Sequence, residues 1–270
     1  VYDATFPNVT LTSPSDGNIG VSLAPLLTWQ NNDGYTSYDI EVATDAAFIN
    51  IVDSKTVIFN SYLPSALEQD TIYYWRVKPR NSCGEGGFGP AFSFRTKQIN
   101  CKSFEANGLP IVITSVGTPV VTSKISFLED LPVADVNISL DINHTYLEDL
   151  VISLISPAGT KVVLTSSSCG SLRNINATFD DDGSPFVCGG NPAISGVVKP
   201  LGSLSSFNGE SLFGEWTLEI RDNAPSDGGS LNSFSLDICV EGAFRPDADE
   251  DGVFDDGDDL CLGTPKGLEV

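Results

Sequence analysis

The alternation of apolar and polar side chains in short runs constrains this chain more than any other feature. In Tyr38–Ala43, Tyr38, Ile40 and Val42 alternate with Asp39 and Glu41. In Ile72–Val77 one face carries Ile72, Tyr74 and Arg76, and the other Tyr73, Trp75 and Val77. In Asp135–Ile142, Val136, Ile138, Leu140 and Ile142 all face one way. A period of two sends successive side chains to opposite sides, so each run is a strand with one buried face. Turn residues separate the runs: Ser15-Asp16-Gly17, Asn31-Asn32-Asp33-Gly34, Gly84 to Pro90, Ser156 to Thr160 and Asn223 to Gly229. The pattern predicts an all-β chain, and 270 residues suit about two domains.

Apolar residues make up 41% of the chain, enough for real cores. No run approaches the roughly 18 consecutive apolar residues of a membrane-spanning helix, so no membrane span is expected. The formal net charge is −22. Phosphate-binding faces need clustered Lys and Arg, so nucleic acid and anionic membrane surfaces are excluded as partners. The chain holds no Met and starts at Val1 without a signal peptide, and so reads as a processed piece of a longer precursor.

Residues 1–97 read as seven strands: Asn8–Ser13, Pro25–Trp29, Tyr38–Ala43, Ile51–Val57, Ser61–Leu63, Thr71–Lys78 and Ala91–Arg95. That number and spacing suit an immunoglobulin-like sandwich. The early Pro-rich strand, Trp29 and Leu67-Glu-Gln-Asp-Thr-Ile-Tyr-Tyr-Trp-Arg-Val77 resemble a fibronectin type III domain. Trp29, Tyr73 and Trp75 are expected in its core rather than on a sugar-binding face.

After a short joint at 97–101, residues 101–242 again read as strands, about eight with wide loops, which fits a jelly-roll sandwich. Three blocks carry a sharper resemblance. Ile142-Asn-His-Thr-Tyr-Leu-Glu-Asp-Leu-Val-Ile-Ser-Leu-Ile-Ser-Pro-Ala-Gly-Thr160 is the first. Phe207-Asn-Gly-Glu-Ser-Leu-Phe-Gly-Glu-Trp-Thr-Leu-Glu-Ile-Arg-Asp-Asn223 and Gly228-Gly-Ser-Leu-Asn-Ser-Phe-Ser-Leu-Asp-Ile238 follow in order. Together they resemble the P domain (Homo B domain) of kexin-like proprotein convertases. Phe234 stands where that family usually has Trp, and is expected to fill the same core slot. An insertion at Asn174–Gly183, with cysteines around it, resembles the bacterial branch, in which the domain follows secreted metalloproteases and surface proteins.

The segment 243–270 carries nine Asp or Glu residues against Arg245 and Lys266. Asp247-Ala-Asp-Glu-Asp-Gly-Val-Phe-Asp255 places carboxylates at positions 1, 3, 5 and 9, with Gly at 6 for the tight turn. That spacing aims oxygens at one hard cation. The expected Ca²⁺ ligands are Asp247, Asp249, Asp251, the Val253 carbonyl, Asp255 and Asp258. With Cys261 and Gly263-Thr-Pro, the segment resembles a thrombospondin type 3 calcium repeat. Such repeats come in series, so a truncated first repeat is expected. A second calcium site is expected in 101–242, because packed carboxylates repel unless a cation or donor compensates them. Its expected ligands are Asp149 with Asp180, Asp181 and Asp182. Glu148 lies beside the first, and Asp222 and Asp227 bracket a third acidic loop.

The cysteines are Cys83, Cys101, Cys169, Cys188, Cys239 and Cys261. None forms a C-x-x-C pair, and one His cannot complete a zinc set with them. They read as disulfides of an oxidising compartment. Cys169 and Cys188 enclose a short loop and are expected to pair. Cys101 begins the second domain and Cys239 ends its last strand, so these two should meet where first and last strands run together. A whole strand separates Cys83 from Cys101, roughly 25 Å, which argues against that pair. Cys83 is left without a clear mate, and Cys261 is expected to find one beyond Val270.

His144 is the only histidine. No nucleophile elbow accompanies it and no H-E-x-x-H is present, so it is expected to be structural and the chain non-enzymatic. Two functions remain open. One is a calcium-binding accessory region of a large secreted bacterial protein, stabilising or positioning a neighbouring protease domain of the same precursor, as the resemblance implies. The other is the stalk or binding module of a cell-surface adhesin, whose partner would be a surface or matrix protein or a glycan.

Overall fold

The computed structural model describes residues 6–246 and 254–255. The chain divides into two compact units, Val1–Ile99 and Asn100–Val270.

The first unit is a sandwich of two sheets. Strands β1 (Leu11–Ser13), β3 (Leu27–Trp29) and β6 (Ser61–Tyr62) form one, in the order β1-β3-β6. The other runs β2 (Asn18–Val21), β9 (Phe92–Thr96), β7 (Ile72–Asn81), β4 (Ser37–Ala43), β5 (Ile51–Val57), with β8 (Gly84–Glu85) added to β7. The alternation in β4 and β7 works as the sequence implies. Register pairs Ile40 with Val77 and Val42 with Trp75, all buried. Trp29, Tyr38, Trp75 and Phe94 sit at 1% exposure or less, so these aromatics are core and not a sugar platform. The outward residues of the same strands pair by charge: Glu41 with Arg76 at 2.6 Å, and Asp39 with Lys78 at 3.2 Å and Arg80 at 2.6 Å.

Two strands of this unit are absent from the sequence reading. β2 leaves the first sheet and runs parallel to β9, pairing Asn18 with Phe94. Only half of its apolar pattern is buried, since Ile19 is exposed and Val21 is not. Alternation therefore gave no signal. β8 is two residues long, too short for any period.

The second unit is a larger sandwich in which the chain crosses repeatedly between two sheets, as in a jelly roll. One sheet runs β10 (Ile99–Glu105), β19 (Gly229–Glu241), β13 (Val133–His144), β16 (Ile175–Pro185), β17 (Ile194–Lys199), with β11 (Ile111–Ile113) beside β19. The other runs β12 (Val120–Phe127), β18 (Gly214–Asp222), β14 (Leu150–Ile155), β15 (Lys161–Ser166). The core lies between them and centres on Trp216, Phe207, Phe179 and Phe234. Trp216 satisfies its indole N–H on the Leu212 carbonyl at 3.1 Å and meets the Phe207 ring edge-on at 5.0 Å. Phe234, opposite Leu140, is 1% exposed and fills an interior slot.

The segment Asn174–Gly183 is ordered and almost wholly strand. Ile175–Pro185 is strand β16, paired antiparallel to β13 through Ile142 with Ile175 and Ile138 with Phe179. Its other edge takes β17 in parallel. Ile175, Ala177 and Phe179 are buried and alternate with Asn176 and Thr178, the period-two pattern of a half-buried strand. The two flanking cysteines make this strand look like a looped-out excursion in sequence.

Truncating Phe234 to Ala leaves a void among residues that cannot collapse into it. Denaturant unfolding should show a loss of about 3–5 kcal/mol at unchanged slope.

Candidate functional site

Two acidic clusters lie at opposite ends of β13 and β16. At one end β13 finishes on His144. Both His144 and Asp222, the last residue of β18, have side chains wholly removed from solvent. Nε2 of His144 faces Asp222 Oδ2 at 3.3 Å, and Nδ1 faces the Tyr146 carbonyl at 2.9 Å. Asp222 Oδ1 accepts the Ala224 N–H at 3.2 Å. Both ring nitrogens are thus engaged, and the imidazole ties β13 to β18. Gly229 makes this closure possible: a Cβ there would stand 1.8 Å from the Asn143 carbonyl oxygen.

Asp149 ends the short 3-10 turn Leu147–Asp149 that leads into β14. Its carbonyl accepts the Asn223 N–H at 2.9 Å, next to the Leu150–Asp222 register pair. Its carboxyl is pushed up from the ordinary value by desolvation and then by the charges of Asp222 and Asp227, with His144 opposing. Asp227 accepts a hydrogen bond from Thr145 Oγ1 at 2.8 Å. The loop behind the turn is held by the Cys169–Cys188 disulfide and by two bonds to it: Leu147 N–H to the Leu172 carbonyl and Glu148 N–H to the Gly170 carbonyl, both at 3.1 Å. Closing a loop of that size contributes on the order of 3 kcal/mol by the chain-entropy argument.

At the other end, Asp180–Gly183 bulges out of β16. The partner of Val198 changes from Phe179 to Ser184 across it. Gly183 presses so close that a Cβ would lie 2.5 Å from the Val198 carbonyl carbon. Asp181 is committed to protein donors. It accepts Leu204 N–H and Ser205 N–H at 2.9 Å and Ser203 Oγ at 2.7 Å, capping the 3-10 turn Leu204–Phe207. These bonds outweigh its partial desolvation and hold its carboxyl below the usual range. Asp182 N–H donates to Asp180 Oδ1 at 2.8 Å. Asp135, on the facing strand, is pushed up by desolvation and by the charges of Asp180, Asp181 and Asp182. Beside it Asn137 donates Nδ2 to Asp135 at 3.3 Å while its Oδ1 is buried without a partner. Asp135, Asn137, Ser139 and Asp141 are the polar positions of the alternating run, and that alternation is the sequence signal for Asp135.

The structure therefore separates Asp149 from Asp180, Asp181 and Asp182. Asn174 is bonded to the His144 backbone at 3.0 Å, and from the next residue, Ile175, to Asp180 is five residues along β16, about 17 Å. The two clusters cannot share one ion. Among the described residues no three His, Cys, Asp or Glu side chains converge to hold a metal. Asp247, Asp249, Asp251, Val253, Asp258 and Cys261 lie outside the described residues. Asp255 lies within them, and its N–H donates to the Pro246 carbonyl at 2.9 Å. Phe254 lies under the Arg245 guanidinium at 4.0 Å, so Arg245–Pro246 and Phe254–Asp255 lie against each other.

Cys101 joins Cys239, bridging β10 and β19. Cys83 lies exposed in the turn between β7 and β8, its N–H donating to Asn81 Oδ1 at 2.8 Å. No helix among the described residues is long and apolar enough to cross a membrane.

Residues 133–238 match the family model of the proprotein convertase P-domain. A stretch of 110 residues, 40% of this chain, is 29% identical to a calcium-dependent protease of Trichormus variabilis and covers 14% of that protein. A stretch of 127 residues, 47% of this chain, is 30% identical to the extracellular serine protease of Aeromonas sobria and covers 19% of it. The matched segment is thus a small part of each relative's length. Among solved structures, an Fn3-like protein from Clostridium thermocellum aligns at TM-score 0.27 and 16% identity over 35% of this chain and 94% of that one. The Aeromonas sobria serine protease in complex with its chaperone aligns at TM-score 0.36 and 17% identity, over 76% of this chain and 36% of that one.

An acid whose carboxyl is raised in the folded state costs stability fully above the folded value. The cost fades as pH falls through that value and is gone below the unfolded one. Asp149→Asn should therefore stabilise the metal-free protein at pH 7 by up to about 1 kcal/mol, and leave it unchanged near pH 3. Paired denaturant melts at the two pH values read this.

Proposed function

We propose that this chain is a non-catalytic accessory region of a large secreted bacterial protease, and that the unit beginning at Asn100 stabilises or positions a neighbouring protease domain of the same precursor. The observation that carries this reading is the P-domain match over 133–238, in a segment that occupies only 14% and 19% of two relatives, both proteases. His144 supports it, since a wholly buried ring with both nitrogens engaged cannot reach a substrate bond. The experiment compares the protease domain encoded beside this chain with and without residues 100–246. The expected result is a lower Tm and a faster loss of peptidase activity on heating when the segment is missing. An unchanged Tm and half-life would overturn the reading, as would peptide hydrolysis by the purified 270-residue chain alone.

We further propose that calcium binds this region, first at the acidic loop and second at one of the two β-sandwich clusters. In the loop the ligands are Asp247, Asp249, Asp251, the Val253 carbonyl, Asp255 and Asp258. In the sandwich they come from Asp180 and Asp182 with Asp135, or from Asp149. The carboxylate spacing of Asp247–Asp258 and the Asp255 N–H bond to the Pro246 carbonyl support the first, and the raised carboxyls of Asp135 and Asp149 support the second. Calcium at about one hundred times its Kd should raise the unfolding free energy of the full chain by about 2.7 kcal/mol per site, reversed by chelator. A chain ending at Pro246 should retain the part owed to the sandwich. Equal melting curves with calcium and with chelator in the shortened chain would remove the sandwich site; in the full chain they would remove both.

A further inference from the structure

Strand β5 is the last strand of its sheet and pairs with β4 alone among the described residues. Its other edge presents a row of unpaired backbone donors and acceptors. Every residue of Ile51–Val57 is exposed or half-exposed. The apolar ones are not covered: Ile51 is 44% and Val52 51% exposed, and beyond the strand ends Ile49 is 80% and Phe59 69% exposed. Exposed edges are usually guarded by charge, and β5 holds one lysine, Lys55, and one aspartate, Asp53, on either side of Ser54. The charges are therefore antisymmetric about the centre of the strand.

We propose that this edge pairs antiparallel with β5 of a second copy of the chain, about a two-fold axis at Ser54. In that register Asp53 stands opposite Lys55 of the second copy and Lys55 opposite its Asp53. The continuous register is Asp53–Val57; against β4 it shifts at Val52, so Ile51 lies opposite Ala43, on the face away from Val57, and the pairing is centred on Asp53, Ser54 and Lys55. A two-fold normal to the sheet keeps each side chain on its own face. Asp53 and Lys55, opposite the inward Val42 and Ile40 of β4, thus meet on one face. Asp53 is already held in place by the Tyr62 hydroxyl at 3.0 Å and the Ser65 N–H at 2.9 Å. The neighbouring registers fail. A slip of two residues puts Lys55 opposite Lys55 in one direction and Asp53 opposite Asp53 in the other. A slip of one sets Asp53 and Lys55 opposite residues of the other face, and a parallel pair stacks like on like. Opposite charges across a strand pair attract and like charges repel, so the sequence selects one register.

The test is sedimentation equilibrium of the full chain between about 1 and 200 µM at about 0.15 M salt, where charges more than roughly 8 Å apart are screened. The native chain should dimerise within this range. Lys55→Glu should weaken association by about tenfold or more. Mixing Lys55→Glu with Asp53→Lys should restore a one-to-one dimer that neither variant forms alone. Because Asp53 also bonds Tyr62 and Ser65, the second variant is used only if its melting curve shows a folded chain. Hydrogen exchange of the β5 amides supplies an independent measurement, with protection that rises with protein concentration. A native chain that stays monomeric overturns the proposal. So does a dimer that Lys55→Glu leaves unchanged, or β5 exchange that ignores concentration.

Discussion

The pairing of β13 with β19 is the interaction on which the second unit depends. It runs from Val133 opposite Val240 to His144 opposite Gly229. Its inward face supplies Val136, Ile138, Leu140, Ile142, Phe234, Leu236 and Ile238, all at 2% exposure or less. Gly229 lets the two strands approach where any Cβ would strike Asn143, and on its far edge Cys239 ties β19 to β10 across a separation of 138 residues. A slip of one residue would turn every apolar side chain of β13 outward. Both acidic clusters hang on this pair, one past His144 and the other beside Asp135.

Charge is distributed unevenly over an acidic chain. In the first unit the carboxylates on the outer face of β4 have cations across the strand. In the second, Glu219 is held down to about 2 by the side chains of Arg221 and Lys161. Asp135 and Asp149 instead face other carboxylates. Compensated pairs on an exposed face add little stability. Carboxylates crowded without a cation cost some, and they are where a divalent ion changes the most. The acidic charge is thus compensated across the strands of the first unit and crowded at two places in the second.

The reading from sequence succeeded for several strands with one wet and one dry face, and passed over β12, whose burial alternates along its whole length. β4, β7 and β13 each contain the alternating run read from the sequence, Tyr38–Ala43, Ile72–Val77 and Asp135–Ile142. It failed where a strand is too short or is disguised. β2 and β8 carry no period, and β16 is bracketed by cysteines and ends in an acidic bulge, so it looked like a loop. Asp149 and Asp180–Asp182 seemed natural partners because each adjoins a turn, but nothing local records that their turns close opposite ends of one sheet. Asp181 is the sharpest case. Its three donors come from residues 22 to 24 positions further along the chain.

By itself the sequence determined the all-β class, the two sandwiches, the inward faces and the cysteines able to pair, because period-two alternation and turn chemistry are local properties of the chain. The tertiary structure alone decided which strands are neighbours, which carboxylates confront each other and which are satisfied by backbone donors. Those depend on strand order and on register between distant segments, which loop closure and core packing set together and no window of residues contains.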